Sequence, residues 1–156
     1  MIRGGLRCSA LLFAAALATG CGSTRDLSSS QERVQDRATQ VALSMVGKPY
    51  RYGGNSPQRG FDCSGLIQYS YARAGVRLPH GTTHLRRASR PISKRNLRRG
   101  DLVFFDQEGK SSSHVAIYIG GNRFVHAPSS GKHVHVADFS KYWNKYFNEA
   151  RRLDVD

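Results

Sequence analysis

The sequence predicts an α+β fold, and three observations carry that expectation. Apolar residues recur at helical spacing in the first half of the chain, short segments of period two follow in the second, and Gly-, Pro- and Ser-rich stretches separate them. At 156 residues the chain has room for one domain. There is no internal repeat.

Arg3 and Arg7 precede the apolar run 11–17, which gives way to Ala18, Thr19 and Gly20 ahead of Cys21. This is the layout of a secretory signal, and the run is too short to span a bilayer as a helix. Small residues before a cysteine resemble the lipobox of bacterial lipoproteins, with Ala18 where Leu is usual and Leu17 one step further out. That resemblance implies cleavage after residue 20 and acylation of Cys21. With Gly22 rather than Asp next, it also implies sorting to the outer membrane, facing the periplasm. Residues 1–20 are then a lipoprotein signal peptide, 21–33 a lipid-anchored tether and 34–156 the folded domain. The stretch 22–30 is polar and Ser-rich without a hydrophobic period, and fully extended it reaches about 30 Å.

A first amphipathic helix is predicted from Val34, Ala38, Val41, Ala42 and Met45, and Gly47 with Pro49 stops it. Residues 50–60 are rich in Gly, Pro, Asn and Ser and read as a loop. A second helix begins after Asp62 as N-cap, carries Leu66, Ile67, Tyr71 and Ala72, and ends at Gly75. A loop around 79–83 and a basic connector follow. Strands are then predicted over 101–105, 114–119, 123–126, 133–136 and 150–153.

Cysteine usage points to chemistry. Cys8 leaves with the signal and Cys21 carries lipid, so Cys63 stands alone, and an unpaired thiol in an oxidising compartment is a candidate nucleophile. The second helix places it in its first turn, where unpaired N–H groups and the positive end of the helix dipole favour thiolate. Ser64 and Gly65 are small enough to let a substrate approach the sulfur.

A thiolate also needs an imidazole, to hold it as an ion pair and to protonate the leaving amine. Along the strand from His114 to Ile119, Val115, Ile117 and Ile119 share the core face, and His114 lies on the other with Ala116 and Tyr118. The small Ala116 leaves space above His114. His126 lies on the next strand. A three-residue loop 120–122, or an equivalent bulge, sets His126 opposite Ala116 and diagonal to His114, at about 7–8 Å. A two-residue turn at Gly121-Asn122 would instead put it opposite Ile117, on the wrong face. His126 would then hold the His114 ring in its productive tautomer. His133 and His135 alternate with Val134 and Val136 and read as solvent-side residues, and His80 and His84 sit in or beside a loop. No metal-ligand cluster with a carboxylate on a helix supports a zinc site built from His80, His84, His126, His133 or His135, so neither metal nor cofactor is expected.

Removing Arg3 and Arg7 from the 24 basic residues leaves 22 against 11 acidic ones, a net +11. Such a charge favours an anionic polymer or surface. For an exported chain that excludes nucleic acid and leaves peptidoglycan carboxylates, lipopolysaccharide and anionic lipid. The densest stretch is Arg86, Arg87, Arg90, Lys94, Arg95, Arg98 and Arg99, either a solvated face or a contact with substrate or membrane.

Five ordered blocks resemble the NlpC/P60 family of cell-wall peptidases over about residues 38–153. They are Pro49-Tyr50-Arg51-Tyr52-Gly53-Gly54, Asp62-Cys63-Ser64-Gly65, Gly100-Asp101-Leu102-Val103-Phe104-Phe105, His114-Val115-Ala116-Ile117-Tyr118-Ile119-Gly120 and Phe124-Val125-His126-Ala127. Within the family the likeness is to the murein endopeptidase lipoproteins of Gram-negative bacteria.

The resemblance implies a papain-like fold, with the nucleophile at a helix N-terminus packed on a small antiparallel sheet. It implies a Cys63, His114 and His126 triad, and an oxyanion site in which the Tyr50 hydroxyl joins the Cys63 N–H, with Ser64 beside it. The residues alone do not choose between that role and one in which Tyr50 and Tyr52 are loop aromatics packing over the site. The implied activity is a monomeric cysteine peptidase that hydrolyses peptidoglycan cross-links, D-alanyl to diaminopimelate, or else the D-glutamyl to diaminopimelate bond of the stem. A wall-binding lipoprotein without catalysis and an acyltransferase with an apolar lipid channel are the other readings. The chain departs from its relatives at Leu78-Pro79-His80-Gly81-Thr82, where Arg commonly follows Leu-Pro, and in the family that loop borders the cleft.

Overall fold

The computed structural model describes residues 23–107 and 109–155, so the signal segment and Cys21 lie outside them. Helix α1 spans Ser23–Ser44. It buries Ala38 and Ala42 fully, with Val34 at the margin and Met45 just past its end, as their spacing predicted, but Leu43 packs there in place of the expected Val41. The expected tether differs. Residues 23–33 belong to the helix, and near its middle Gln31 donates to the Leu153 carbonyl at 2.7 Å while Glu32 faces Arg98 at 3.6 Å. Polar composition without hydrophobic period did not preclude a helix.

Two short strands, β1 (Asn55–Ser56) and β2 (Gly60–Phe61), pair across the loop before helix α2 (Cys63–Arg73). Asp62 caps α2 as expected, accepting from the Gly65 N–H at 2.6 Å. Helix α3 (Thr82–Arg87) leads into strand β3 (Ser89–Ile92) and a 3₁₀ turn at Lys94–Asn96. Strands β4 (Leu102–Gln107), β5 (Lys110–Gly120), β6 (Arg123–His126) and β7 (His135–Asp138) follow, then helix α4 (Lys141–Tyr146) and strand β8 (Phe147–Leu153). The strand expected at 133–136 is displaced by two residues, because the backbone at His133 and Val134 is engaged by Pro49 and Lys48 instead.

Strands β3 to β8 form one antiparallel sheet in the order β3-β8-β4-β5-β6-β7. One face carries Leu102, Phe104, Val115, Ile117 and Val125 against α1 and α2. The opposite face was expected to be open above His114. It is instead a second, aromatic core of Val103, Phe105, Ala116, Phe124 and Phe139, covered by Trp143 and Tyr146 of α4. Because strands alternate faces, that second core and the histidines of β5, β6 and β7 lie on the same side.

Beneath the sheet's end, the buried Asp101 carboxylate pairs with Arg152 at 2.7 Å and accepts from the Arg98 N–H at 2.6 Å. The buried Tyr71 hydroxyl donates to the Gly100 carbonyl at 2.6 Å. These bonds tie α2 and β8 to the start of β4 and so fix the helix that carries Cys63 against the strands that carry the histidines.

Candidate active site

The β5–β6 hairpin settles where His126 falls. Gly121 and Asn122 form a two-residue turn with φ of 58° and 59°, and Gly120 pairs with Arg123. A bulge between Tyr118 and Gly120 then shifts the register by one, so Tyr118 pairs with Phe124 and Ile117 with Val125. Carried one residue further, His126 stands opposite Ala116. The loop is thus two residues, and the bulge restores the expected face.

His114 and His126 meet. His114 Nε2 lies 2.8 Å from His126 Nδ1, with both rings buried. The pair continues outward, since His126 Nε2 lies 3.1 Å from His135 Nε2, and His135 Nδ1 lies 2.9 Å from the His133 carbonyl. His135 faces His126 directly across the β6–β7 ladder. Its expected solvent-side role is therefore incomplete: the residue is exposed, yet one ring nitrogen is engaged with the buried pair. A sequence signal existed, because two facing strands place directly paired residues on one face, but it needed the β6–β7 register to be read.

Cys63 begins α2, and the N–H of Val115, the residue after His114, faces its sulfur. The thiol lines a cleft of about 430 Å³ with Tyr50, Tyr52, Ser64, His80 and Ser113. Tyr50 is half-buried and Tyr52 almost fully exposed. His84 turns away to the His80 carbonyl at 2.9 Å.

The small residues after the cysteine also serve the local packing. A Cβ on Gly65 would stand 1.9 Å from the Gly54 carbonyl oxygen, so this glycine lets the 50–60 loop press against the helix. The Ser64 hydroxyl donates to Asp62 at 3.0 Å. His80 also reaches Asp62, with Nε2 3.0 Å from Oδ1, and the Gly53 N–H donates to Oδ2 at 2.9 Å. One carboxylate therefore caps the helix, holds the Tyr52-Gly53 turn and pins the His80 loop over the cleft.

Burial pushes the Cys63 thiol up to about 11; the Val115 N–H opposes the rise, and the Asp62 charge adds to it. Burial lowers His114 to about 4, with a further push from His135. His126 moves in the same direction, from burial first and then from His114, His135 and Lys132. At neutral pH the groups are thus a thiol and neutral imidazoles. The expected resting thiolate is not favoured, because loss of water around the sulfur outweighs the helix N–H groups.

The basic stretch is partly neutralised within the fold. Arg86 pairs with Glu149, Arg90 with Asp154 at 2.7 Å, and Arg99 with Asp36 at 3.0 Å. Arg98 faces Glu32, and the Lys94 ammonium lies 4.6 Å from the Phe139 and Phe147 ring centres.

The NlpC/P60 family model matches residues 47–152. The chain is 40% identical over 127 residues to the murein DD-endopeptidase MepH of Escherichia coli K12, covering 75% of this chain and 46% of that protein. It is 43% identical over 115 residues to the bifunctional muramidase/DL-endopeptidase CwlT of Bacillus subtilis 168, covering 72% and 34%. A Staphylococcus aureus structure described as similar to a lipoprotein of the NLP/P60 family superposes with a TM-score of 0.69 at 38% identity, covering 79% of this chain and 42% of that one. The chain thus spans less than half the length of each of these three proteins.

Proposed function

The chain belongs to the NlpC/P60 family, and from that premise we propose that it is a cysteine peptidase hydrolysing peptide bonds of peptidoglycan. The observation that carries the reading is the buried His114–His126 hydrogen bond beside a thiol at the N-terminus of α2. His114 Nε2 is taken by His126, which leaves Nδ1 to serve Cys63.

The resting thiol and neutral imidazole define the first step. His114 Nδ1 takes the thiol proton as Cys63 Sγ bonds to the scissile carbonyl carbon, and the carbonyl electrons move to oxygen. The Cys63 N–H and the Tyr50 hydroxyl hold that oxyanion. Its collapse breaks the C–N bond, and the His114 proton goes to the departing amine. Water then adds to the thioester with His114 Nδ1 as base, and the proton returns to sulfur as the acid is released. His126 acts through His114 by fixing its ring. The Ser64 hydroxyl, engaged with Asp62, supports the site rather than the oxyanion.

The preferred bond is the D-alanyl to diaminopimelate cross-link, since MepH is named a DD-endopeptidase. The D-glutamyl to diaminopimelate bond is the second reading, since CwlT is named a DL-endopeptidase. The enzyme works as a monomer in the bacterial envelope, held through lipid on Cys21 at the periplasmic side of the outer membrane. Digestion of purified peptidoglycan, with fragments identified by mass, separates the two bonds. Loss of cross-linked dimers with gain of intact monomers supports the first, and stem peptides truncated after D-glutamate support the second. No release by wild type that Cys63→Ala lacks would reject the peptidase.

A further inference from the structure

We propose that His135 is a positioning residue of this site, which sets the tautomers of His126 and His114 through a hydrogen-bonded chain anchored on the His133 carbonyl. The inference rests on the peptidase reading for its consequence, but not for its geometry.

Three contacts define the chain: His114 Nε2 to His126 Nδ1 at 2.8 Å, His126 Nε2 to His135 Nε2 at 3.1 Å, and His135 Nδ1 to the His133 carbonyl at 2.9 Å. A neutral imidazole has one donor nitrogen and one acceptor, whereas a carbonyl oxygen only accepts. His135 must therefore carry its proton on Nδ1, which leaves Nε2 as an acceptor. His126 then donates from Nε2 and accepts at Nδ1. His114 in turn donates from Nε2, and its Nδ1 is bare. Each step has one solution while the rings are neutral, and burial keeps His114 and His126 so. The bare Nδ1 of His114 is the atom the reaction needs as base.

Without the outer acceptor the direction is no longer fixed. His126 could place its proton on Nδ1 and donate to His114 Nε2, which would put a proton on His114 Nδ1 and remove the base. In the wild type that arrangement sets the His126 Nε2 and His135 Nε2 lone pairs against each other at 3.1 Å, so it is disfavoured. When His114 becomes imidazolium during turnover, the same chain passes polarisation outward to the His133 carbonyl. His135 touches no reacting atom. It is exposed, shares a cleft of about 500 Å³ with Lys132, Tyr142 and Tyr146, and can be substituted without opening a core.

The test combines ring-nitrogen NMR on protein labelled with ¹⁵N-histidine and steady-state kinetics on a cross-linked peptide. Wild type should show bare Nδ1 on His114 and on His126, and protonated Nδ1 on His135. His135→Leu removes the acceptor, and should give a mixture of tautomers at His114 with kcat lowered roughly three- to tenfold at unchanged KM, the scale of one neutral hydrogen bond. His135→Gln offers an amide oxygen where Nε2 stood and should restore both readings. A wild-type spectrum with protonated Nδ1 on His114, or a His135→Leu protein with wild-type tautomers and kcat, would overturn the proposal. Cleavage that persists in Cys63→Ala rejects the peptidase reading instead, and leaves the tautomer measurement standing.

Discussion

Trp143 of α4 stacks on the His114 ring, with centroids 5.8 Å apart and planes inclined by 29°. It also meets the His126 ring edge-on at 5.0 Å. The chain has one tryptophan, so its emission reports on these two imidazoles. Protonated histidine quenches indole fluorescence, and His114 is lowered by burial to about 4. Emission should stay level from pH 8 to 5 and fall below that, in a step that His114→Ala diminishes while circular dichroism is unchanged. A midpoint near the ordinary histidine value would show that the rings are hydrated and not buried.

The same displacement sets the pH profile. On the proposed mechanism turnover needs one proton shared between Cys63 and His114, so kcat/KM should fall in acid as His114 gains a second and in alkali as the thiol loses its own. His114 is lowered to about 4, which moves the acid limb down, and Cys63 is raised to about 11, which moves the alkaline limb up. The expected curve is a broad bell, level across pH 6 to 9. A narrow bell with both limbs inside that range would indicate a solvent-exposed ion pair.

Much of this site was legible in the sequence because its signals are local. Asp62 before an apolar helical pattern located the cap and Cys63, and alternation along the residues from His114 to Ile119 assigned the faces of β5. The relative placement of His126 needed only the hairpin register. What escaped depends on contacts far apart in sequence. Gln31 finds the Leu153 carbonyl across the domain, His80 finds Asp62 through a loop, and Trp143 covers His114 from a helix whose six residues are too few to show a period. The thiol's protonation also escaped, since a helix N-terminus can be read from sequence and desolvation cannot.

Gly65 offers a structural test independent of chemistry. Gly65→Ala would drive a methyl group to 1.9 Å from the backbone oxygen of Gly54, a neighbour that cannot swing aside. Destabilisation of about 3 kcal/mol or more is expected in chemical denaturation, at the upper end of overpacking costs. A loss below about 1 kcal/mol would mean that the 50–60 loop does not rest on α2 in solution.

The lipid anchor rests on small residues ending at Cys21, in a segment outside the described structure. Metabolic labelling with a fatty acid should mark the protein, and Cys21→Ala should abolish the mark. Wild-type protein of mature length without label would remove the anchor from the account.

Retention on peptidoglycan should weaken as salt is raised toward roughly 0.5 M, because exposed charges are screened within a few ångströms there. Arg86, Arg90, Arg98 and Arg99 already face acidic side chains, so the change should be smaller than the net charge of the chain suggests. Substituting Arg87 and Arg95, which are exposed, should account for more of the salt dependence than substituting Arg86 and Arg90. Binding that does not respond to salt would show that the stretch is only a solvated surface.

The last expectation ranks the site residues by what each carries. On the proposed mechanism Cys63→Ala removes the atom that bonds to the substrate, and His114→Ala removes the proton carrier, so each should abolish nearly all turnover with fold and wall binding intact. His126→Ala takes away only the partner of His114 Nε2, leaving a ring that can still accept a proton but turns more freely in the space vacated. Its loss should be smaller, and should appear in kcat with KM little changed. His126→Gln, which keeps an amide group within reach of His114, should recover part of it. Equal losses for His126→Ala and His114→Ala would mean that the inner pair acts as one proton-carrying unit, and the division of roles given to the two rings would be wrong.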